Sequence, residues 1–292
     1  MHYNHWLDGA IDFHVHSAPD SMPRYGSCIQ IAQEARDAGM RGIVFKDHFI
    51  PSFVKAQLAS EVVEGITLVG GLCLNNTSGG MNPHFVKWGL TAGAKQIMFP
   101  TMHSRLSMRK RANTLHSKSF SFGMQMEPVK VIEDDGENVT AETDTILKMI
   151  ADAGVILSLG HMDSQEIRAI LKKTKEYNIQ KIVMEHPNFY CPELYSMEDL
   201  EEFAAAGVYL SHSFGCMNPL YGRKDPKDTA AIMKAVGADH CLMMTDAGQQ
   251  ESAAPHESMR QFCEIMFRCG ISKDEIYTMT KYNPAKLLGL DE

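Results

Sequence analysis

One pattern recurs along the chain. A stretch with apolar residues at helical spacing ends in Gly or Asn, a short apolar run follows, and that run closes on a polar residue. The runs occupy positions 9–16, 38–48, 66–76, 92–101, 153–161, 178–186, 206–212 and 237–246. They have strand length and do not strictly alternate, as expected of strands buried on both faces of a parallel sheet. The glycines that precede them suit helix C-termini, where a left-handed turn costs a residue without Cβ little. Positions 28–37, 164–177 and 197–206 read as helices between the runs. Positions 140–153 read as another, opening on Thr140 with Thr143 three residues on, an imperfect capping box.

Eight strand–helix units in 292 residues predict an α/β fold, a (β/α)8 TIM barrel forming a single domain over residues 1–292. An open doubly wound sheet would place a glycine-rich phosphate turn after strand one, and the sequence there is His-Val-His-Ser-Ala-Pro-Asp. Two connections are long, 102–140 after strand four and 213–228 after strand seven. Both fall on the side where barrels carry their active sites.

Composition narrows the function classes. With 44% hydrophobic and 22% charged residues the chain is an ordinary globular one, which excludes wholesale disorder. The net charge of -8 argues against nucleic acid or an anionic membrane as partner, since both require a basic footprint. The one basic cluster, Arg105, Arg109, Lys110 and Arg111, is short and reads as a solvated loop or an anion contact. Seven cysteines without a C-x-x-C pair read as free, buried thiols, and no signal-peptide pattern or membrane-length apolar run is visible, so the cytoplasm is the expected compartment. A small-molecule substrate is the expected partner. Composition leaves the oligomeric state open, with pairing of copies through their outer helices as one expectation.

The polar residues at the strand ends carry the chemistry. Of 13 histidines, His14, His16, His48, His161 and His186 close an apolar run or lie within a residue of doing so, and Asp246 closes the last. His14 and His16, two apart on a strand, share a face. With His161, His186 and Asp246 they form the ligand set of a divalent ion, most suitably zinc, with Mn, Fe or Co as alternatives. Such an ion acidifies its water and polarises a substrate oxygen, and Asp246 is placed to move the proton. This suits cleavage of an amide, cyclic amide, lactone or ester. Lys46, His48, Asn76, His103, Arg105 and Gln249 are candidates for bridging or substrate contact. His partners for the free ring nitrogens are sought in Asp12, Asp47 or Glu185. Asp12 shares the parity of His14 and reads either as a partner deep behind that ring or as a structural residue at the barrel floor; Glu185, just before His186, is expected to face the helices unless a bulge re-aims it. His212, one past the inward position, reads as solvated or structural. His2, His5, His84, His116, His240 and His256 lie off the strand ends and carry no assigned role.

His14-Val15-His16 on strand one, His161 after strand five, His186 after strand six and Asp246 after strand eight resemble the amidohydrolase superfamily in order and placement. The ending Asn283-Pro284-Ala285-Lys286-Leu287-Leu288-Gly289-Leu290 is similar to one common there. Lys46-Asp47-His48, Gly79-Gly80-Met81-Asn82-Pro83 and Thr245-Asp246-Ala247-Gly248-Gln249 resemble an uncharacterised branch of that superfamily. The resemblance implies a metal-dependent hydrolase with one or two ions. One departure stands out: strand four ends Met98-Phe99-Pro100-Thr101, without the carboxylated Lys or Glu that bridges two ions in the better-known members. Either the site holds one metal or a carbamate on Lys46 supplies the bridge, with a free ammonium facing Asp246 or a substrate carboxylate as the plainer outcome. The same superfamily supports decarboxylation or hydration of a small carboxylic acid, and phosphoesterases of the histidinol-phosphatase type also begin with H-x-H.

Overall fold

The computed structural model describes residues 5–111, 126–219 and 222–290. Eight strands, β1 (Ile11–Val15), β2 (Gly42–Phe45), β3 (Thr67–Cys73), β4 (Gln96–Met98), β5 (Ile156–Ser158), β6 (Ile182–Glu185), β7 (Val208–Ser213) and β8 (Cys241–Met244), form one parallel sheet in sequential order. Helices alternate with them, so the predicted (β/α)8 barrel is the observed fold. Seven strands lie inside the apolar runs that predict them, and β7 extends one residue beyond its run, to Ser213.

The helices start where their caps allow. Ser27 accepts from Gln30 N ahead of the helix Cys28–Asp37, and Thr140 accepts from Thr143 N at 3.2 Å ahead of Ala141–Ala153. Asp163 and Glu166 form a full capping box for Ser164–Glu176, as do Ser196 and Asp199 for Met197–Ala205. Gly154, with φ 60°, ends its helix in the left-handed region. The connection after β4 contains a further helix, Arg105–Arg111. The middle of that connection lies outside the described residues, as do His2, His116 and the Arg111 side chain. No helix among the described residues is long and apolar enough to cross a membrane.

Alternation along the strands divides the apolar residues into two layers. Ile43, Phe45, Leu157, Leu159, Ile182, Met184, Leu210 and Met243 pack under the helices. Phe13, Val44, Ile156, Val183, Tyr209, Leu242 and Met244 fill the barrel, packed against Leu287 of the terminal helix Asn283–Leu288. Above them the interior turns polar, and that is where the site lies.

Two features of β1 shape the site. Its register with β2 slips between Asp12 and Val15, so Phe13 and His14 together oppose the single residue Val44. This bulge sends Phe13 into the barrel core and still leaves His14 facing inward. Between β8 and β1, regular pairing gives way to a bridge from Val15 to Ala247. The seam is closed by Asp246 N donating to His14 O, His16 N donating to Ala247 O, and the Asp12 carboxylate accepting from Thr245 N and Oγ1 at 3.0 and 2.6 Å.

Candidate metal centre

Five imidazoles stand in a row across the barrel mouth. Ring centroids are 5.2 Å apart from His48 to His16, 5.3 Å from His16 to His14, 5.0 Å from His14 to His186 and 5.4 Å from His186 to His161. All five are buried. Asp246 sits over the row, with Oδ1 3.5 Å from His14 Nε2 and 3.2 Å from His16 Nε2, and Oδ2 3.9 Å from His186 Nδ1. Ligand atoms of His14, His186 and Asp246 all lie within 4.8 Å of one another. The strands thus bring His14, His16, His186 and Asp246 together, with His161 at one end of the row and His48 at the other.

The backbone does unusual work to achieve this. His186 and Asp246 adopt left-handed φ values of 56° and 55°, and Gly160, just before His161, has φ 57°. A non-glycine residue there costs of order 1–3 kcal/mol, which the surrounding structure must offset. The turn at His186 also corrects one expectation. Glu185 does not face the helices: it is the last inward residue of β6, and the left-handed step after it swings His186 into the same mouth. Glu185 Oε2 meets His14 Nδ1 at 3.1 Å, and Ser158 Oγ donates to Oε1 at 2.8 Å.

Glu185 is therefore the carboxylate behind an imidazole. Asp47 is not, because it pairs with Lys55 at 2.5 Å and caps Phe49 N. Asp12 is not either: the bulge separates its facing from that of His14, and its oxygens serve the seam. His212 is fully buried, so the solvated reading is wrong; it lies opposite Met243 on the face turned from the mouth.

Burial governs the electrostatics. It holds the His14, His16 and His48 rings well below the ordinary imidazole range, with Lys46 and Arg24 adding to the effect, and brings His186 down to about 3. These are neutral rings, the form that ligates cations. Burial also pushes the Asp246 carboxyl up to about 7 against the pull of Lys46 and Arg24, and raises Glu185. Three ring nitrogens, His14 Nε2, His16 Nδ1 and His186 Nδ1, are buried with no hydrogen-bond partner. The unpartnered nitrogens of His14 and His186 beside the Asp246 carboxyl are a donor set that a divalent ion would satisfy, so the residues fit one.

The other candidates divide. Lys46 Nζ lies 2.7 Å from His48 Nδ1, and the pair is buried at the mouth; burial lowers its ammonium. Its ion pair with Asp246, one expectation, does not form. His48 Nδ1 also contacts Thr101 Oγ1 at 2.9 Å, in a network with Asn75 and Cys73 that nothing in the spacing of these residues announces. His103 is buried, its Nδ1 accepting from Asn76 N, while Asn76 Nδ2 donates to Glu127 O beside a cleft of about 640 Å³. Arg105 turns away to Asp163 at 2.8 Å. Gln249 Nε2 donates to Asp246 O at 2.8 Å and so braces the loop rather than the carboxylate. Ser107, missed in the sequence, contacts His161 Nδ1 at 3.0 Å. All seven cysteines are free, six of them buried.

A family model described as "Family of unknown function (DUF6282)" matches residues 9–211. No curated protein matches the chain. Solved structures share the fold. An amidohydrolase from Pseudomonas aeruginosa aligns with TM-score 0.67 at 12% identity, over 98% of this chain and 97% of that one. A putative 2-pyrone-4,6-dicarboxylic acid hydrolase from Pseudomonas putida aligns with TM-score 0.57 at 17% identity, over 97% and 98%. A 2,6-dihydroxybenzoate decarboxylase from Rhizobium aligns with TM-score 0.56 at 12% identity, over 98% and 100%. At these identities the likeness establishes the fold, the barrel that amidohydrolase-superfamily enzymes share.

Proposed function

The chain belongs to the DUF6282 family, whose model fixes a sequence and no reaction, and on that premise we propose that it is a metal-dependent hydrolase of small molecules. The observation that carries the reading is the convergence of His14, His186 and Asp246 within ligating distance of a common point, with buried ring nitrogens left over. His14, His16, His186 and Asp246 would hold one divalent ion of the zinc type, with His161 ligating or steering water from the end of the row. β4 supplies no bridging residue for a second ion, and Lys46 stays a free amine in this reading; intact mass would reveal a carbamate.

Held by these residues, a divalent ion would supply Lewis acidity, which acidifies a water and polarises a substrate carbonyl. The chain's own groups do the rest. Glu185 accepts from His14 Nδ1 and so fixes which nitrogen faces the ion. Asp246, whose side chain is 26% exposed where His14 and Glu185 are at 1%, is the carboxylate a substrate can reach. It takes a proton from the attacking water and passes it to the leaving nitrogen or oxygen of an amide, lactone or ester. Lys46 and His48 border the space and are placed to hold the substrate. The substrate is a small molecule of the cytoplasm in this reading.

The test is metal content together with turnover. The purified protein should carry about one zinc, manganese, iron or cobalt per chain and hydrolyse a member of an amide, lactone and ester panel. Chelation should abolish that turnover. A protein that takes up no divalent metal refutes the reading. Release of CO2 from an aromatic acid in place of hydrolysis would replace it with a decarboxylase, an activity named for one of the similar structures.

A further inference from the structure

The loop after β1 carries a charged pair that the proposed chemistry does not use. Arg24 Nε and Nη2 both reach the same oxygen of Asp20, Oδ2, at 2.6 Å. The two side chains are 3% and 1% exposed. A guanidinium has five N–H groups, and only two are engaged here. The other three have no hydrogen-bond partner among the described residues. No Arg24 nitrogen is among the buried atoms without a partner, so the idle donors stand where a ligand can reach them, while the rest of the side chain is fixed by burial.

The backbone shows where this guanidinium stands. Arg24 bridges Gln249, Tyr25 N donates to Gly248 O at 2.8 Å, and His16 N donates to Ala247 O at 2.8 Å. The loop of Arg24 is thus laid against the loop of Asp246, which is itself laid against His16. Gly248 makes that contact possible: at φ 114° a Cβ would come within 1.9 Å of His16 O. The guanidinium lies within electrostatic reach of His14, His16, Lys46, His48 and Asp246.

We propose that Arg24 is the substrate-recognition residue of the site and that the substrate bears a carboxylate, which the open edge of the guanidinium grips. The inference rests on the metal-hydrolase reading for its location. Asp20 occupies one edge of the guanidinium through a single oxygen and leaves the rest of its planar donor set open. The two oxygens of a carboxylate match that planar edge, as they would not match the point charge of a lysine. Asp20 acts as a positioning residue that holds the guanidinium flat against the loop.

Binding of simple monocarboxylates, from acetate to benzoate, tests this against the matching neutral amides. Calorimetry or ligand-dependent unfolding of the protein as purified reads affinity, and metal content is measured on the same samples. We expect saturable binding of at least one carboxylate, none of its amide, and affinity at least tenfold weaker in R24M with metal content unchanged. R24K should recover part of the affinity. The double variant D20N/R24M, which removes the buried pair as a unit, guards against a fold left with an unpaired Asp20, and should match R24M. Equal affinity in wild type and both Met variants overturns the proposal, as does a wild type that binds no carboxylate. A protein without metal whose carboxylate binding still depends on Arg24 would leave this inference standing and remove the hydrolase reading alone.

Discussion

His14 has its two ring nitrogens committed in opposite directions, Nδ1 to Glu185 and Nε2 toward Asp246. A ligand imidazole oriented by a carboxylate in this way depends on it. E185Q should weaken zinc affinity by about 10–100-fold while the fold persists, measured by competition with a chromophoric chelator. D246N should lose about two to four orders of magnitude in kcat, since both proton transfer and one ligand charge go with it. Glu166 gives a pH prediction away from the site. Burial raises its carboxyl to about 7, while the unfolded chain titrates near 4.5. The folded chain therefore keeps a proton that the unfolded chain has released, and stability falls as pH rises through that window. E166Q cannot ionise and still offers an acceptor to Asp163 N. Its stability relative to wild type should grow from pH 4.5 to 7 and level off above, by on the order of 3 kcal/mol, in denaturant titrations at fixed pH values.

At the scale of elements, strand ends were legible and their local turns were not. The H-x-H pair and the histidines after β5 and β6 could be placed because buried strands leave few positions for polar residues. Glu185 was misplaced because period-two alternation assumes an unbroken strand, and His186 leaves the strand through a left-handed step. For Asp12 the bulge at Phe13 and His14 shifts the count by one, and of its two readings the structural one holds. No side-chain pattern announces either event, since neither residue is a glycine. Arg24 carries no mark in the sequence, because its setting depends on a loop-to-loop contact between distant parts of the chain. Gly248 is the residue on which that contact turns. G248A should lower stability by more than about 2 kcal/mol, because the substitution meets both a disfavoured φ and the His16 carbonyl. Thermal unfolding checks it, and an equally stable variant would show that the loop has another arrangement.

For the molecule as a whole, the proposed ligands come from β1, β6 and β8. An ion held there binds the folded chain and not the unfolded one, so its removal should destabilise: at free metal 100-fold above Kd the loss is about 2.7 kcal/mol. Chelation should lower the unfolding temperature, and zinc should restore it. A chelator without effect on unfolding would mean that the residues hold no ion in the purified protein.

The thin join between β8 and β1 bears on biosynthesis. A nascent chain that has emerged only as far as β7 has the imidazoles but lacks Asp246, Thr245 and the neighbour that conceals one border of its sheet. Until β8 is made, about five-sixths of the way along the polypeptide, such an intermediate can neither shut the cylinder nor perform the chemistry. Truncations ending before Cys241 should then be inert and prone to stick to one another through that uncovered border.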